Sequence, residues 1–301
     1  MPKRSASQQL NDIIEMIQDA YAPNTIRAYR ADMEEFIRYC QAARKSALPA
    51  DPMTIAEFLM GTTQAGIRSA TIRRKVASIS AIHRFGEYGD PTKHPQVKLA
   101  IRKIHRQLGT RHRQAYPITE SVLKRLIAVC DDDLRGVRNK ALLMLAYDSM
   151  RRRSELVSLR VEDLERNDDG LISILLRKSK TDQEATGQWV HLGIASTAVL
   201  EEWLRAGNVR NGYIVRGISP ADEIQDGLSS GQIGRIFKRL ATGAGLSNEI
   251  VKTVSGHSMR VGGAQDLLIK GASLPQIMVK GGWSKTDTVM RYVERVRKLQ
   301  S

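Results

Sequence analysis

Apolar residues recur at intervals of three and four along most of this chain, and the strand candidates are short. The pattern therefore predicts a mainly helical protein with a small sheet. Ile26, Tyr29, Met33, Phe36, Ile37 and Cys40 share one face of a helix that Asn24-Thr25 would cap, with Arg27, Arg30 and Arg38 off that stripe. A second helix is expected over Ser69–Phe85. Ile72, Val76, Ile79 and Ile82 or His83 would point inward, and Arg68, Arg73, Arg74 and Lys75 elsewhere. Asp51-Pro52 and Gly61 bound a short helix near Thr54–Met60. Residues 1–106 thus read as an all-α domain, 107–117 as a basic linker around Gly109, and 118–301 as a second domain. In the second domain helices are expected at Thr119–Cys130, Gly136–Ser149, Arg153–Leu159, Ser196–Ala206, Ser230–Gly243 and Gly256–Lys270. Leu171–Leu176 and Trp189–Leu192 are strand candidates, Thr181–Gln188 reads as a hairpin loop, and a turn at Asn167–Gly170 adds a third antiparallel strand.

Charge narrows the partner. The 47 Lys and Arg outweigh 32 Asp and Glu by 15, which favours a polyanion over a small acidic molecule. Residues 91–119 contain no acid and carry Lys93, Lys98, Arg102, Lys103, Arg106, Arg111 and Arg113. Alone, that run fits a solvated face as well as a nucleic-acid contact. Cys40 and Cys130 stand far apart in apolar helical contexts and read as reduced core thiols. No apolar run approaches the roughly 18 residues of a membrane span, and Met1-Pro2-Lys3-Arg4 opens no secretory signal. A cytoplasmic protein without membrane contact is the expectation.

The candidate chemistry is concentrated near the C-terminus. Ser255-Gly256-His257-Ser258-Met259-Arg260, Gly281-Gly282-Trp283 and Tyr292 bring an imidazole, a guanidinium, an indole and a phenol into one short stretch. Arg152-Arg153-Ser154-Glu155 and Lys178-Ser179-Lys180-Thr181 add cations from further back. A phosphate is best gripped by guanidinium, whose planar fork makes parallel hydrogen bonds and keeps its charge, so Arg152 and Arg260 are clamp candidates. His257, three positions before Arg260, would share its helix face and either accept or stabilise a phenolic proton or donate to a phosphate oxygen. A phenol with a pKa near 10 becomes a nucleophile only where cations and a proton acceptor favour phenolate. Lys180 would protonate a departing 5′ oxygen, and Glu155 would orient a neighbouring cation. Gly262 and Gly263 each cost a helix about 1 kcal/mol against Ala, a cost that close backbone packing offsets. Trp283, after two glycines, is expected at a surface or cleft with its N–H free to donate. There is no Walker loop and no acidic metal cluster, so neither cofactor nor metal is expected.

These segments, with Ala146-Tyr147-Asp148-Ser149-Met150-Arg151-Arg152 leading into Glu155, resemble the tyrosine recombinase (phage integrase) family over nearly the whole chain. The resemblance implies that Arg152, His257 and Arg260 form the family's Arg-His-Arg triad. It makes Lys180 the hairpin general acid, Glu155 the acidic position, and Tyr292 the nucleophile. Trp283 takes a place that many relatives fill with His. The resemblance implies a site-specific recombinase that cuts and rejoins strands through a 3′-phosphotyrosine link and a Holliday junction. Its partners would be double-stranded DNA with an inverted-repeat site and three further copies of itself, assembled from monomers or dimers. Arg27, Arg30, Arg73, Arg74, Lys103 and Arg106 would lie toward that DNA, and a bacterial host would hold the protein at its nucleoid. Three readings stay open beside it: a type IB topoisomerase-like relaxase, a non-catalytic helix-turn-helix regulator using Gly256–Lys270 and Ser273–Lys280, and a degenerate structural relative, against which the presence of every catalytic residue type argues.

Overall fold

In the computed structural model, which describes residues 4–64, 66–109, 114–177, 187–294 and 296, the chain divides into two units, Met1–Arg113 and Gln114–Ser301. The first unit is helical: α1 (Ala6–Ile17), α2 (Pro23–Ala42), α3 (Pro52–Gln64), α4 (Ser69–Phe85) and α5 (Pro95–Leu108). The sequence pattern predicted α2, α3 and α4. Helix α2 begins two residues earlier than a cap at Asn24 would place it, because Pro23 occupies its first turn and Asn24 instead accepts a hydrogen bond from Arg27 at 2.7 Å. Helix α3 runs through Gly61, whose missing side chain faces open space.

Helices α1 and α5 lie outside the predicted set. A Ser5–Gln8 capping box starts α1, and Leu10, Ile13, Ile14 and Ile17 are its buried stripe. Pro95 starts α5, whose Val97, Ala100 and Ile104 are buried while Arg102, Lys103 and Arg106 are exposed. Much of the acid-free run is therefore one face of a helix that ends at Gly109, where φ is +69°.

Lys75 corrects the expected outer face of α4. It is 2% exposed and ion-pairs Glu35, beside Asp32, which is equally buried. Asp32 accepts a hydrogen bond from Ser78 Oγ at 2.7 Å and pairs with Arg74 at 3.0 Å, joining α2 to α4 through a polar cluster. Removing Asp32 leaves the buried Lys75 with Glu35 as its one remaining counter-charge among the described residues and strips Ser78 of its carboxylate partner. Asp32→Ala is expected to destabilise this unit by about 3–5 kcal/mol, read as an earlier chemical-denaturation transition of the full chain; a change under about 1 kcal/mol would mean that water compensates.

His83 supplies a pH dependence. It is fully buried; its Nδ1–H donates to the Ile79 carbonyl at 2.8 Å, and its Nε2 accepts from the Ala50 amide at 3.1 Å. Burial holds its pKa below the ordinary 6.5, against the pull of the Ile79 carbonyl and Asp90. Between that lowered value and about 6.5 the unfolded chain binds the proton and the folded chain does not. The stabilisation is complete above about pH 6.5 and is lost as pH falls through this window. A denaturation midpoint that is lower at pH 5.5 than at pH 7.5 in the parent, and much less so in His83→Gln, is the expected result.

The second unit contains α6 (Glu120–Ala128), α7 (Leu134–Ser149), α8 (Arg153–Leu156), β1 (Leu164–Arg166), β2 (Ile172–Leu176), β3 (Gln188–His191), α9 (Ile194–Ala206), α10 (Ser230–Gly243), α11 (Asn248–Thr253), α12 (Ser258–Ile269), α13 (Leu274–Gly281) and α14 (Thr286–Val293). The strands form one antiparallel sheet in the order β1-β2-β3, with Arg166 opposite Ile172 and Ile174 opposite Val190. The predicted mainly helical architecture with a small antiparallel sheet is thus the observed one. Gln188, placed in the hairpin loop by its polarity, begins β3, and α11 is an addition started by Ser247. Leu142, Leu143, Leu200 and Trp203 anchor the core between α7 and α9. A separate apolar cluster of Met150, Ala264, Ile277, Trp283, Val289 and Val293 brings α12, α13 and α14 together. Among the described residues, no helix is long and apolar enough to cross a membrane.

Candidate active site

The site begins where α7 ends. Met150 closes that helix in the left-handed region at φ +48°, a conformation that costs a bulky residue on the order of 1–3 kcal/mol. It is held there by burial to 1% exposure and by the Arg260 guanidinium, which donates to its carbonyl. The reversal sends three consecutive arginines to three environments. Arg151 is buried against the end of α13 and the start of β3, Arg152 is half-buried, and Arg153 is exposed beside Gly256.

Arg152 and Glu155 form one unit at the start of α8. Glu155 Oε2 accepts the Arg152 amide at 2.9 Å, and Oε1 accepts its Nη1 at 2.7 Å. The carboxylate is 4% exposed, so this is not the solvent-facing helical pair that its spacing alone describes. A buried carboxylate fixes the guanidinium, whose remaining N–H groups stay available to a ligand.

Arg260 projects from α12 and is 1% exposed, with its guanidinium carbon 4.4 Å from the centre of the Trp283 ring. Burial, then repulsion from Arg152, pulls its pKa down to about 10, with Glu155 and Tyr292 opposing that shift. A cation held so far from water gains from any negative charge brought beside it. His257 sits at the helix start and is exposed, whereas Arg260, three positions on, is buried. Its amide donates to Ser255 Oγ at 3.2 Å. Crowding by protein atoms, then Arg260, Arg153 and Arg152, pushes its pKa below the usual histidine value, leaving the neutral ring favoured at pH 7.

Two glycines let α12 come this close. A Cβ on Gly262 would lie 1.8 Å from the Ile118 carbonyl oxygen, and one on Gly263 would lie 2.9 Å from Met150 Sδ. Asp266 accepts from Tyr147 Oη at 2.5 Å and from the Glu120 amide at 2.7 Å, tying α12 to α7 and α6.

Trp283, expected at a surface or cleft, is withdrawn from the surface. It is 7% exposed, because the bare Gly281 lets the indole fold back over the end of α13; a Cβ there would meet the ring at 2.0 Å. The ring lies between Arg260 and Tyr292, whose ring it meets edge-on at 5.8 Å. Tyr292 is half-buried on α14, with its carbonyl fixed by Gln265 Nε2 at 2.8 Å. No partner holds its hydroxyl among the described residues.

Arg152, Glu155, His257, Arg260, Trp283 and Tyr292, spread over 141 positions of sequence (152 to 292 inclusive), therefore converge on one place. Lys180 lies outside the described residues. Sequence reasoning missed Met150, Arg151 and Gln265. The glycines opposite Met150 were the available signal for the first, and nothing in residue type marked the other two.

This arrangement, on this fold, defines a class. Residues 117–298 match the phage integrase family, and residues 14–87 match its N-terminal SAM-like domain. The chain belongs to the phage integrase family, the tyrosine recombinases, and is a DNA recombinase. It is 26% identical to the recombinase cre of Escherichia phage P1, across 98% of this chain and 92% of that protein. It is 30% identical to an integrase/recombinase xerD homolog of Selenomonas ruminantium, across 93% and 84%. The fold is that of the XerH site-specific recombinase bound to a palindromic difH substrate, with TM-score 0.67 and 18% identity over 98% of this chain and 83% of that one. A lambda integrase dimer bound to a COC′ core site shares it at TM-score 0.66 and 17% identity, over 96% and 77%.

Proposed function

We propose that this enzyme is a site-specific recombinase that cuts and rejoins DNA strands through a covalent 3′-phosphotyrosine. The observation that carries the reading is the half-buried phenol of Tyr292 beside the buried Arg260–Trp283 pair, with Arg152 and His257 around it. In the proposed step Tyr292 Oη attacks the scissile phosphorus and its proton passes to neutral His257. The Tyr–O–P bond forms as the P–O5′ bond breaks, and the departing 5′ oxygen takes a proton from Lys180. Arg152, oriented by Glu155, and Arg260, backed by Trp283, balance the charge that builds on the non-bridging oxygens. The phosphate ester stays linked to Tyr292, so a 5′-hydroxyl from another strand reverses the step without a nucleotide cofactor. Two such exchanges, through a Holliday junction held by four subunits, complete recombination.

The N-terminal unit, residues 1–106, would contact the duplex, 107–117 would link it, and 118–301 would carry the chemistry. Arg27, Arg73, Lys103 and Arg106 are exposed, which suits phosphate contact. Arg27 and Arg30 each donate to an asparagine, Asn24 and Asn11, and Arg74 is partly neutralised by Asp32, so Arg74 contributes less. The DNA in the XerH and lambda integrase structures supports a duplex partner for this chain, with inverted half-sites and nucleoid residence following from that partner.

A nicked suicide duplex, which loses the short strand carrying the departing 5′ end, tests the reading. The parent enzyme is expected to accumulate a covalent adduct at the 3′ end, joined through Tyr292. Relaxation of supercoils without joining two sites would favour the topoisomerase-like reading instead. Sequence-specific binding without strand cleavage would favour the regulator.

A further inference from the structure

Arg151 is a buried cation that the proposed reaction leaves without a task. It is 3% exposed, and its Nε has no hydrogen-bond partner among the described residues. Burial pulls its pKa below the ordinary guanidinium value; Glu155 opposes that shift and Arg152 adds to it, but Glu155 is itself bonded to Arg152. Burying a guanidinium on these terms is a poor way to stabilise a fold, since an apolar side chain of similar length serves at least as well.

What this guanidinium holds is the turn that leads into Trp283. Helix α13 ends with carbonyls that have no partner inside the helix. The Trp283 amide donates to the Met278 carbonyl at 2.9 Å and the Gly282 amide to the Val279 carbonyl at 3.1 Å. Arg151 Nη2 donates to the next one, the Lys280 carbonyl, at 3.0 Å, and Nη1 donates to Gln188 Oε1 at 2.7 Å, on the first residue of β3. A Cβ on Gly282, where φ is +64°, would sit 2.4 Å from Nη1, so the guanidinium packs into the space that a side chain there would fill. Trp283 follows directly. Its indole folds back over Gly281, with the Arg260 guanidinium carbon 4.4 Å from the ring centre and the Tyr292 ring at 5.8 Å. Lys280 Nζ also pairs with Asp148 at 2.8 Å, but through the end of an exposed, flexible side chain, whereas Arg151 grips main chain.

We infer that Arg151 is a positioning residue for strand cleavage: it clamps the turn at Gly282 so that the Trp283 indole stays against Arg260 and Tyr292. The inference rests on the proposed roles of Arg260 and Tyr292, and it gives Arg151 itself no contact with DNA. Released from the clamp, the indole that backs the Arg260 guanidinium can shift, and displacements near 1 Å can cost on the order of a hundredfold in rate.

The test uses the full-length protein carrying ring-fluorinated tryptophan, whose three fluorine resonances come from Trp189, Trp203 and Trp283. Trp283→Phe assigns the resonance of interest, and Trp203, in the core against α7, reports whether the fold is intact. In Arg151→Met, which keeps the apolar stem, the Trp283 resonance of the DNA-free protein is expected to shift or broaden beyond its linewidth while that of Trp203 stays. On a suicide duplex the same variant is expected to form the covalent adduct about 10–100-fold more slowly at saturation, with duplex affinity within about threefold of the parent. Slower cleavage with an unmoved Trp283 resonance would mean that Arg151 acts through its charge, and overturns the positioning role. So does a moved resonance with the parental rate, or no change in either. A parent that forms no adduct overturns the proposed reaction and the role in cleavage with it, while the resonance still shows whether Arg151 holds the turn. Should Arg151→Met not fold, Gln188→Leu, at the half-buried end of the Nη1 bond, decides: a moved Trp283 resonance together with slower cleavage supports the inference, and any other result overturns it.

Discussion

Tyr292→Phe is expected to reduce the covalent adduct on a suicide duplex at least about a thousandfold, to background, while duplex affinity stays within about twofold of the parent. The substitution removes one oxygen and little else. The ring keeps its edge contact with Trp283, and the Gln265 bond to the main-chain carbonyl is untouched. Among the described residues the hydroxyl has no hydrogen bond to lose, so the variant should fold as the parent does. What disappears is the only atom of that side chain able to attack phosphorus. The surroundings explain why this oxygen can react at pH 7, where a free phenol is almost wholly protonated. Arg260 is buried deeply enough for its pKa to fall to about 10, and it touches the face of an indole rather than a carboxylate. Negative charge on the phenol, and then on the phosphate, is what such a cation lacks. Adduct formation that survives Tyr292→Phe would remove the nucleophile from the proposed mechanism and send the search to the other tyrosines.

How much of this was readable in the chain depends on how local the determining contacts are. Helices α4 and α10 have the bounds their periodicity predicts, Ser69–Phe85 and Ser230–Gly243, because stripe, start and stop lie within a few turns. The helix expected over Ser273–Lys280 is likewise present as α13, Leu274–Gly281. Residue type misleads where a distant partner decides. Lys75 reads as surface, yet Glu35 and Asp32, on another helix, draw it inside. Trp283 after two glycines reads as a surface or cleft residue, and the missing Cβ of Gly281 is what allows it to be buried instead of surface-exposed. The arginine triplet shows both sides. Spacing to Glu155 picks out Arg152, which the structure pairs with that glutamate, but nothing local separates the buried Arg151 from the exposed Arg153. Their fates are set by Met150, whose left-handed turn depends on Arg260, 110 positions further on.

That dependence makes Gly262 the most sensitive backbone position around the site. A Cβ at Gly262 would meet the Ile118 carbonyl oxygen at 1.8 Å, its carbon at 2.1 Å and the Thr119 nitrogen at 2.6 Å. All three are main-chain atoms, and the Ile118 amide is itself bonded to the Ser258 carbonyl at 3.0 Å, so no side chain can swing aside to make room. Gly262→Ala is therefore expected to destabilise the second unit by about 3 kcal/mol or more, despite the better helix propensity of alanine. Its thermal transition should fall by roughly 6–12 °C. The displaced helix carries Arg260 and begins at His257, so cleavage should suffer even at temperatures where the fold persists. Gly263→Ala meets the Met150 side chain at 2.9 Å and the Tyr147 carbonyl oxygen at the looser distance of 3.4 Å, and should cost less. Gly61→Ala, inside α3 with nothing within 4 Å, should be neutral or stabilising by up to about 1 kcal/mol. Calorimetry of the three variants reads the order directly. If Gly262→Ala proved as harmless as Gly61→Ala, the close approach of α12 to Ile118 would not exist in solution, and the burial of Arg260 that depends on it would have to be abandoned.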